Sequence, residues 1–260
     1  MSASSWFCFA FSCFLHVSML TSQRITIIMT YADPSEYPYV VKVNRMDENS
    51  RNHTGMFLAV SRNYLFSTTL IAGTQKENMI LTDQQGNVRT PFSLTTVASS
   101  FVYVKVCKKL APGKKFSMSE TSFNNLSTTV SNATVLFYND PGYSDDHILK
   151  KIEQSTIMSV ENCTATYGAE NAEKFACLEK DAALGFCGYF TDYFQNTNPP
   201  AFRRYAALAV DGQVIAFESD SGCECCNQVA VRTKIANYTR ISYHRKEIIA
   251  GMPPGSIDIV

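Results

Sequence analysis

Short segments rich in β-branched and aromatic residues, separated by turn residues, constrain the fold of this chain most strongly. Such segments are predicted at residues 39–43, 56–60, 65–69, 101–106 and 134–138. Within residues 208–217, Asp211-Gly212 separates two apolar runs, a pattern typical of a tight β-hairpin. Many short strands at this spacing indicate a β-sandwich or barrel, and 260 residues are enough for a sizeable core.

One helix is predicted near the C-terminus, over residues 234–249. A rough helical stripe of apolar residues runs through this segment, with Arg and Lys between them. Its members are Ile235, Tyr238, Ile241, Ile248 and Ile249. Gly251 and the following prolines end the helix and leave residues 251–260 as a C-terminal tail.

The N-terminal segment is uncharged and rich in aromatic residues between residues 4 and 20. We interpret residues 1–23 as a signal peptide, cleaved between residues 18 and 23. The alternative is a buried N-terminal strand or helix. No later run reaches about 18 apolar residues, so no membrane span is predicted.

Five N-glycosylation sequons support a secreted, extracellular protein. Their acceptors are Asn52, Asn125, Asn132, Asn162 and Asn237. The chain has 23 basic and 23 acidic residues, and this balance argues against nucleic acid or a membrane surface as partner.

Nine cysteines are present, and Cys8 and Cys13 lie in the predicted signal peptide. The seven others are expected to pair mostly in an oxidising compartment. The odd number leaves a free thiol or an intermolecular bond, as in a disulfide-linked dimer. A zinc site is the alternative for the segment from Cys223 to Cys226, but its spacing does not match a zinc knuckle. We therefore predict no metal and no cofactor.

Seven segments, taken in chain order, carry a further pattern. They are residues 24–28 with 32–41, 54–58 with 64–71, 99–106, 148–152 through 163–167, 208–217, 221–223 and 231–238. In this order they resemble the activation junction, histidine region, aspartate strand, mid-domain elements and closing strands of the trypsin-like (chymotrypsin-fold, S1-type) serine protease family. The resemblance implies an all-β domain over residues 24–250. Its fold would be two packed six-stranded antiparallel β-barrels, with a C-terminal α-helix and a cleft between the barrels.

The resemblance places residues without catalytic chemistry at the catalytic positions. The general base is replaced by Leu70 and the orienting carboxylate by Ser100. Leucine cannot accept a proton from a hydroxyl nucleophile. The aspartate of the specificity pocket is replaced by Gly185, which would not hold a substrate Arg or Lys.

The resemblance leaves two residues open as the counterpart of the nucleophile. Counting forward from Cys187 places it on Thr191, whereas counting back from Leu208 places it on Arg204. Neither choice gives the serine motif, and bulky Phe190 beside Thr191 is unsuited to a tight oxyanion turn.

The mature histidines offer no substitute base. His53, His147 and His244 lie in polar stretches or on the predicted terminal helix, so we expect them on the surface.

The resemblance also implies two disulfides, Cys163–Cys177 and Cys187–Cys223. Cys107, Cys225 and Cys226 have no family partner. His53 and Ile71 occupy the positions of a family bridge that is missing here.

The activation mechanism of the family is incomplete in this chain. Arg24-Ile25 preserves the cleavage site, but Phe190 replaces the aspartate that would pair with the new N-terminus. A buried ammonium without a counter-charge is unfavourable. We interpret Arg24-Ile25 as a remnant of ancestry.

These observations predict a secreted, non-catalytic serine protease homologue, of a kind common in insects. It would bind extracellular proteases, inhibitors or peptides as a regulator, cofactor or decoy. The alternatives are an active endopeptidase with a diverged triad and a structural secreted glycoprotein.

Overall fold

A computed structural model of the protein describes residues 29–48, 50, 52–73, 75–110, 115–116, 130–139, 144, 146–167, 173–178, 202–219, 236–254 and 256. Short β-strands dominate these ranges. The strands are β1 (Met29–Tyr31), β2 (Val40–Met46), β3 (Asn52–Ala59), β4 (Tyr64–Thr68), β5 (Met79–Thr82), β6 (Val88–Arg89), β7 (Pro91–Ala98), β8 (Phe101–Val106), β9 (Val130–Phe137), β10 (Lys150–Ile157), β11 (Phe175–Leu178), β12 (Phe202–Arg204), β13 (Ala207–Val210), β14 (Gln213–Glu218) and β15 (Ala236–Arg240). The helices are α1 (Thr69–Ala72), α2 (Val160–Tyr167), α3 (Arg245–Gly251) and a 3₁₀ turn at Lys76–Asn78.

The C-terminal unit is a closed six-stranded antiparallel barrel. Its strands pair in the cyclic order β9-β10-β11-β15-β14-β13, and β13 returns to β9. Closure removes the unpaired edges that an open sheet would present. Strand β1 pairs with β10 on the outside of this ring.

The N-terminal unit is a curled half-barrel. Its strands follow the order β6-β5-β2-β3-β4-β8-β7, and no pairing among the described residues closes it. β12 adds to β3 in parallel and so links the two units. The predicted all-β architecture is confirmed, with one closed barrel and one curled half-barrel.

The predicted hairpin at residues 208–217 is also confirmed as β13 and β14. Asp211 and Gly212 have φ angles of 50° and 73° in the connecting turn. Two successive positive φ values are typical of a type I′ turn, whose twist matches that of the strands.

The predicted helix over residues 234–249 is wrong in its first half. Residues 236–240 form β15, which lies between β11 and β14 in the barrel, and α3 begins only at Arg245. The apolar stripe was a poor indicator of a helix, because Tyr238 is buried by neighbouring strands of the barrel. Barrel pairing satisfies the backbone of this segment, and that tertiary effect overrides the local period.

Among the described residues, no helix has the length and apolar character needed to cross a membrane.

An apolar seam joins the two units. Phe66 and Phe101 of the half-barrel stack with centroids 5.1 Å apart, and Phe217 of the barrel meets them edge-on at 6.1 Å and 6.4 Å. All three side chains are fully buried. Each such aromatic ring removes a large apolar area from water, so the seam fixes the two units against each other.

Polar contacts across the seam are satisfied as well. The Tyr39 hydroxyl donates to the Gly212 carbonyl at 2.9 Å and accepts from the Val214 N–H at 3.1 Å. Buried Lys42 donates to the Asp146 carbonyl at 2.7 Å and lies 3.5 Å from the Asp146 carboxylate. The first contact joins the residue before β2 to the β13–β14 hairpin, and the second joins β2 to the connection between β9 and β10.

We expect Tyr39→Phe to destabilise the protein by about 1–2 kcal/mol, because it leaves the buried Val214 N–H without a partner and removes the bond to the Gly212 carbonyl of the exposed turn. Urea unfolding measures the change. Tyr103→Phe is the matched control, since the half-buried Tyr103 side chain carries no hydroxyl bond of this kind across the seam. Equal stability of the Tyr39→Phe and Tyr103→Phe variants would contradict the assigned role.

Candidate functional site

The positions predicted for the base and the orienting carboxylate lie side by side at one end of the seam. Leu70 lies on α1, directly after β4, and Ser100 lies in the turn from β7 to β8. The Thr69 N–H donates to the Ser100 carbonyl at 3.0 Å. Pairing of β4 with β8 produces this juxtaposition, since Thr68 is opposite Phe101.

Leu70 serves packing at this place. Its side chain is half-buried and lies against the larger apolar cluster, which includes residues of both units. An alkyl side chain offers no lone pair, so this position cannot take a proton from a neighbouring hydroxyl. Ser100, predicted at the position of the orienting carboxylate, carries a neutral hydroxyl and no anion.

Arg45 holds the short helix that carries Leu70. Its Nε donates to the Ile71 carbonyl at 3.0 Å, and its Nη2 to the Leu70 carbonyl at 3.4 Å. These are carbonyls that a helix C-terminus leaves without an intrahelical partner. Gly73 ends the helix with φ of +62°, and a Cβ atom there would lie 2.7 Å from Arg45 Nη1.

Ile71, one of the two predicted bridge positions, packs against β3. A Cβ atom on Gly55 would lie 3.1 Å from the Ile71 side chain, so Ile71 covers β3 at this point. His53 occurs two residues earlier on the same strand.

The two candidate nucleophile positions have different outcomes. Thr191 lies outside the described residues, as do Gly185, Cys187, Cys223, Arg24 and Ile25. Arg204, the alternative, ends β12 and pairs with Thr54 of β3. A guanidinium remains protonated in proteins and cannot act as a nucleophile.

Glu218 holds the chain just after Arg204. Its carboxylate accepts the Ala206 N–H at 2.8 Å, and its own N–H donates to the Ala206 carbonyl at 2.9 Å. Both backbone polar groups of Ala206 are thus bound by one residue. Complete burial raises the pKa of Glu218 to about 7, and the Ala206 N–H only partly offsets this effect.

A second buried array holds the same segment from the half-barrel. Tyr205 Oη lies 3.0 Å from His53 Nδ1, and Asp47 Oδ2 lies 3.0 Å from His53 Nε2. The Tyr205 N–H also donates to the Thr54 carbonyl at 2.9 Å. Burial of Tyr205 and His53 makes this array a link between the units rather than a site open to substrate.

The expected surface position of the histidines is wrong in two of three cases. His53 is buried by the array, and His244 is buried edge-on against Phe101, with ring centroids 5.3 Å apart. His147 is exposed near Asp146. Sequence reasoning missed the burial because the covering groups are distant in sequence, as Tyr205 is from His53.

The described cysteines give one disulfide and one free thiol. Cys163 of α2 is bonded to Cys177 of β11, with Cα atoms 5.9 Å apart. Cys107 is exposed and carries no disulfide. Cys225 and Cys226, with the zinc alternative, lie outside the described residues. Among the described residues, no three His, Cys, Asp or Glu side chains are grouped so that they could hold a metal ion.

The sequon asparagines differ in their surroundings. Asn132 on β9 and Asn162 on α2 are exposed. Asn52 is half-buried between β2 and β12. Asn237 is on β15, and Asn125 lies outside the described residues.

A closed barrel and a curled half-barrel meet at a seam, with the predicted base and carboxylate positions at the junction. This is the trypsin-like fold. Two similar solved structures are inactivated protease paralogues of the scabies mite. S-I1 superposes with a TM-score of 0.59 at 12% identity, covering 85% of this chain and 96% of that one. S-D1 superposes at 0.56 and 12% identity, covering 90% and 100%.

The trypsin-like fold is also shared with proteins named as peptidases. Kallikrein-related peptidase 10 superposes with a TM-score of 0.55 at 12% identity, covering 84% of this chain and 97% of that one. No family model and no curated protein matches the sequence. Likeness at this identity shows the fold alone, and it gives the insect-like attribution no support.

Substitution at Gly73 tests how α1 is held. We expect Gly73→Ala to destabilise the protein by roughly 2–4 kcal/mol, because the added methyl displaces the Arg45 guanidinium from the Ile71 and Leu70 carbonyls, in addition to the strain of a positive φ. Gly86→Ala is the matched control, since φ there is +79° and nothing lies within 4 Å of the added methyl. It should cost only about 1–2 kcal/mol in urea unfolding. Equal losses would show that Arg45 does not hold the helix end.

Glu218 predicts a pH dependence of stability. With its pKa raised from 4.5 to about 7 on folding, the unfolded chain releases the proton first as pH rises. Glu218 therefore stabilises fully below pH 4.5, and its contribution is lost as pH rises to about 7. The loss is on the order of 3 kcal/mol.

We expect Glu218→Gln to flatten this change, because the amide oxygen still accepts the Ala206 N–H without ionising. Denaturant unfolding of both proteins between pH 4.5 and pH 8 measures it. If the Glu218→Gln variant lost stability with rising pH as steeply as the unchanged protein, Glu218 would not be the cause of the pH dependence.

Proposed function

We propose that this chain is a secreted, non-catalytic serine protease homologue that acts by binding proteins. The observation that carries the proposal is Leu70 at the general-base position, on the helix that the fold brings against the Ser100 turn. Without a base, the hydroxyl of any serine or threonine in the cleft keeps its proton and remains a weak nucleophile.

The neighbouring positions support the same conclusion. Ser100 would not stabilise an imidazolium, so a histidine added at Leu70 would lack its orienting partner. Either choice for the nucleophile, Thr191 or Arg204, departs from serine. Glu218 has a pKa near neutral, but its carboxylate is buried and bound to backbone, so it is not placed to serve a substrate.

The similar structures are consistent with this proposal without deciding it. The same fold occurs in mite proteins named as inactivated proteases and in a protein named as a peptidase. A fold of this kind supports both outcomes, and the residues at the site distinguish them.

Extracellular location forms part of the proposal. It is supported by the signal-like N-terminus, by the Cys163–Cys177 disulfide and by the exposure of two sequon asparagines, Asn132 and Asn162. The partners would be extracellular proteases, inhibitors or peptides. Exposed Cys107 offers a thiol for a disulfide-linked dimer.

Labelling with a fluorophosphonate probe tests the proposal. We expect the purified full chain to remain unlabelled and to leave a casein substrate uncleaved, with trypsin as the positive control. Leu70→His and the double variant with Ser100→Asp should also remain unlabelled, because the nucleophile position is altered too. Labelling or peptide-bond turnover by the unchanged chain would establish the alternative, an active endopeptidase.

A further inference from the structure

A cavity of about 450 Å³ opens on the half-barrel, away from the candidate site. Its lining comes from four places in the chain: residues between 34 and 41, residues between 59 and 62, residues 83–85, and Leu110 with Lys115. The cavity lies at the start of β4, whereas Leu70 follows the end of β4. A five-residue strand separates the two places by about 17 Å. A ligand in this cavity would therefore not occupy the cleft at Leu70.

The cavity walls are fixed by hydrogen bonds between segments that are distant in sequence. The Phe116 N–H donates to the Ala59 carbonyl, and the Leu110 N–H donates to the Arg62 carbonyl, both at 2.8 Å. The Gln84 side-chain amide donates to the Tyr37 carbonyl. A cavity with walls fixed in this way is formed before a ligand arrives, which lowers the entropic cost of binding.

The cavity combines an apolar floor with polar walls. Pro34 and Pro38 contribute apolar surface above the buried side chains of Val40 and Leu110, whereas exposed Ser35 and Gln85 contribute groups that can bond to amides. A purely apolar ligand such as an acyl chain would make no use of those polar groups. A peptide backbone can bond to them and also place an apolar side chain on the floor.

The rim of the cavity is electropositive. Arg62 and Lys115 line it, and both are exposed. The one carboxylate among the described lining residues is Asp83, which is already bound to Arg89 at 2.9 Å and to the N–H groups of its own turn. Lys108 and Lys109 add exposed positive charge on the same segment as Lys115.

We propose that this cavity binds an extended peptide segment in which an apolar residue stands next to Asp or Glu. The apolar side chain packs against Pro34 and Pro38, and the carboxylate pairs with exposed Arg62 at the rim. Charge complementarity of this kind sets partner choice and association rate. The inference extends the proposed binding role by giving the partner a chemical class and a docking place.

Fluorescence anisotropy with labelled hexapeptides tests the proposal. The probe Gly-Leu-Glu-Leu-Glu-Gly should bind the purified full chain saturably. A probe with Gln in place of Glu, or Ser in place of Leu, should bind at least about tenfold more weakly. Equal binding of the Gln probe, or no binding of the acidic probe, would overturn the proposal.

Variants locate the binding. Arg62→Glu should weaken the acidic probe by at least about tenfold, and the milder Arg62→Gln should weaken it less. Lys246→Glu, on exposed α3, is the matched charge control and should change binding by less than about twofold. A similar loss for Arg62→Glu and Lys246→Glu would indicate attraction to overall charge and refute the site.

Two further measurements separate the alternatives. Displacement of the probe by palmitate at micromolar concentration would assign the cavity to a lipid anion and refute the peptide. Fluorophosphonate labelling of the chain would refute the non-catalytic role and leave this site untouched, whereas failed peptide binding would leave the argument from Leu70 intact.

Discussion

The apolar seam of Phe66, Phe101 and Phe217 is the contact on which the rest of the structure depends. It presses β4 and β8 of the half-barrel against β14 of the barrel. Leu70 directly follows β4 and Ser100 directly precedes β8, so the seam also fixes the place of the candidate site. Loss of this burial would separate the two units, and Leu70 and Ser100 would no longer be held at their junction.

Buried polar groups give the seam its specificity. Tyr39, Lys42 and the His53–Tyr205 contact each join the half-barrel to the C-terminal unit, whereas Glu218 holds Ala206 within the C-terminal unit. Apolar packing alone is not directional, whereas a buried hydroxyl or carboxylate destabilises any arrangement that leaves it unpaired. Two of these contacts hold the segment between β12 and β13 from opposite sides.

The trypsin-like fold is present here with an alkyl side chain at the position predicted for the base. Leu70 packs against the larger apolar cluster, and β12, which ends at Arg204, pairs with β3. Maintenance of the scaffold and catalysis therefore make separate demands on the sequence. A stable scaffold with a fixed cavity on the half-barrel suits a protein that binds others through its surface.

Local pattern was enough to predict the hairpin turn at Asp211-Gly212, strand β8 and the β-rich character, because each depends on the preferences of adjacent residues. The family resemblance then gave the two-unit architecture and the positions of Leu70 and Ser100. Tertiary structure alone decided that residues 236–240 are a barrel strand, that His53 is buried against Tyr205, and that Glu218 binds both polar groups of Ala206. These outcomes depend on partners that lie far apart in the chain or on another strand, and no local period records which distant group will cover a residue.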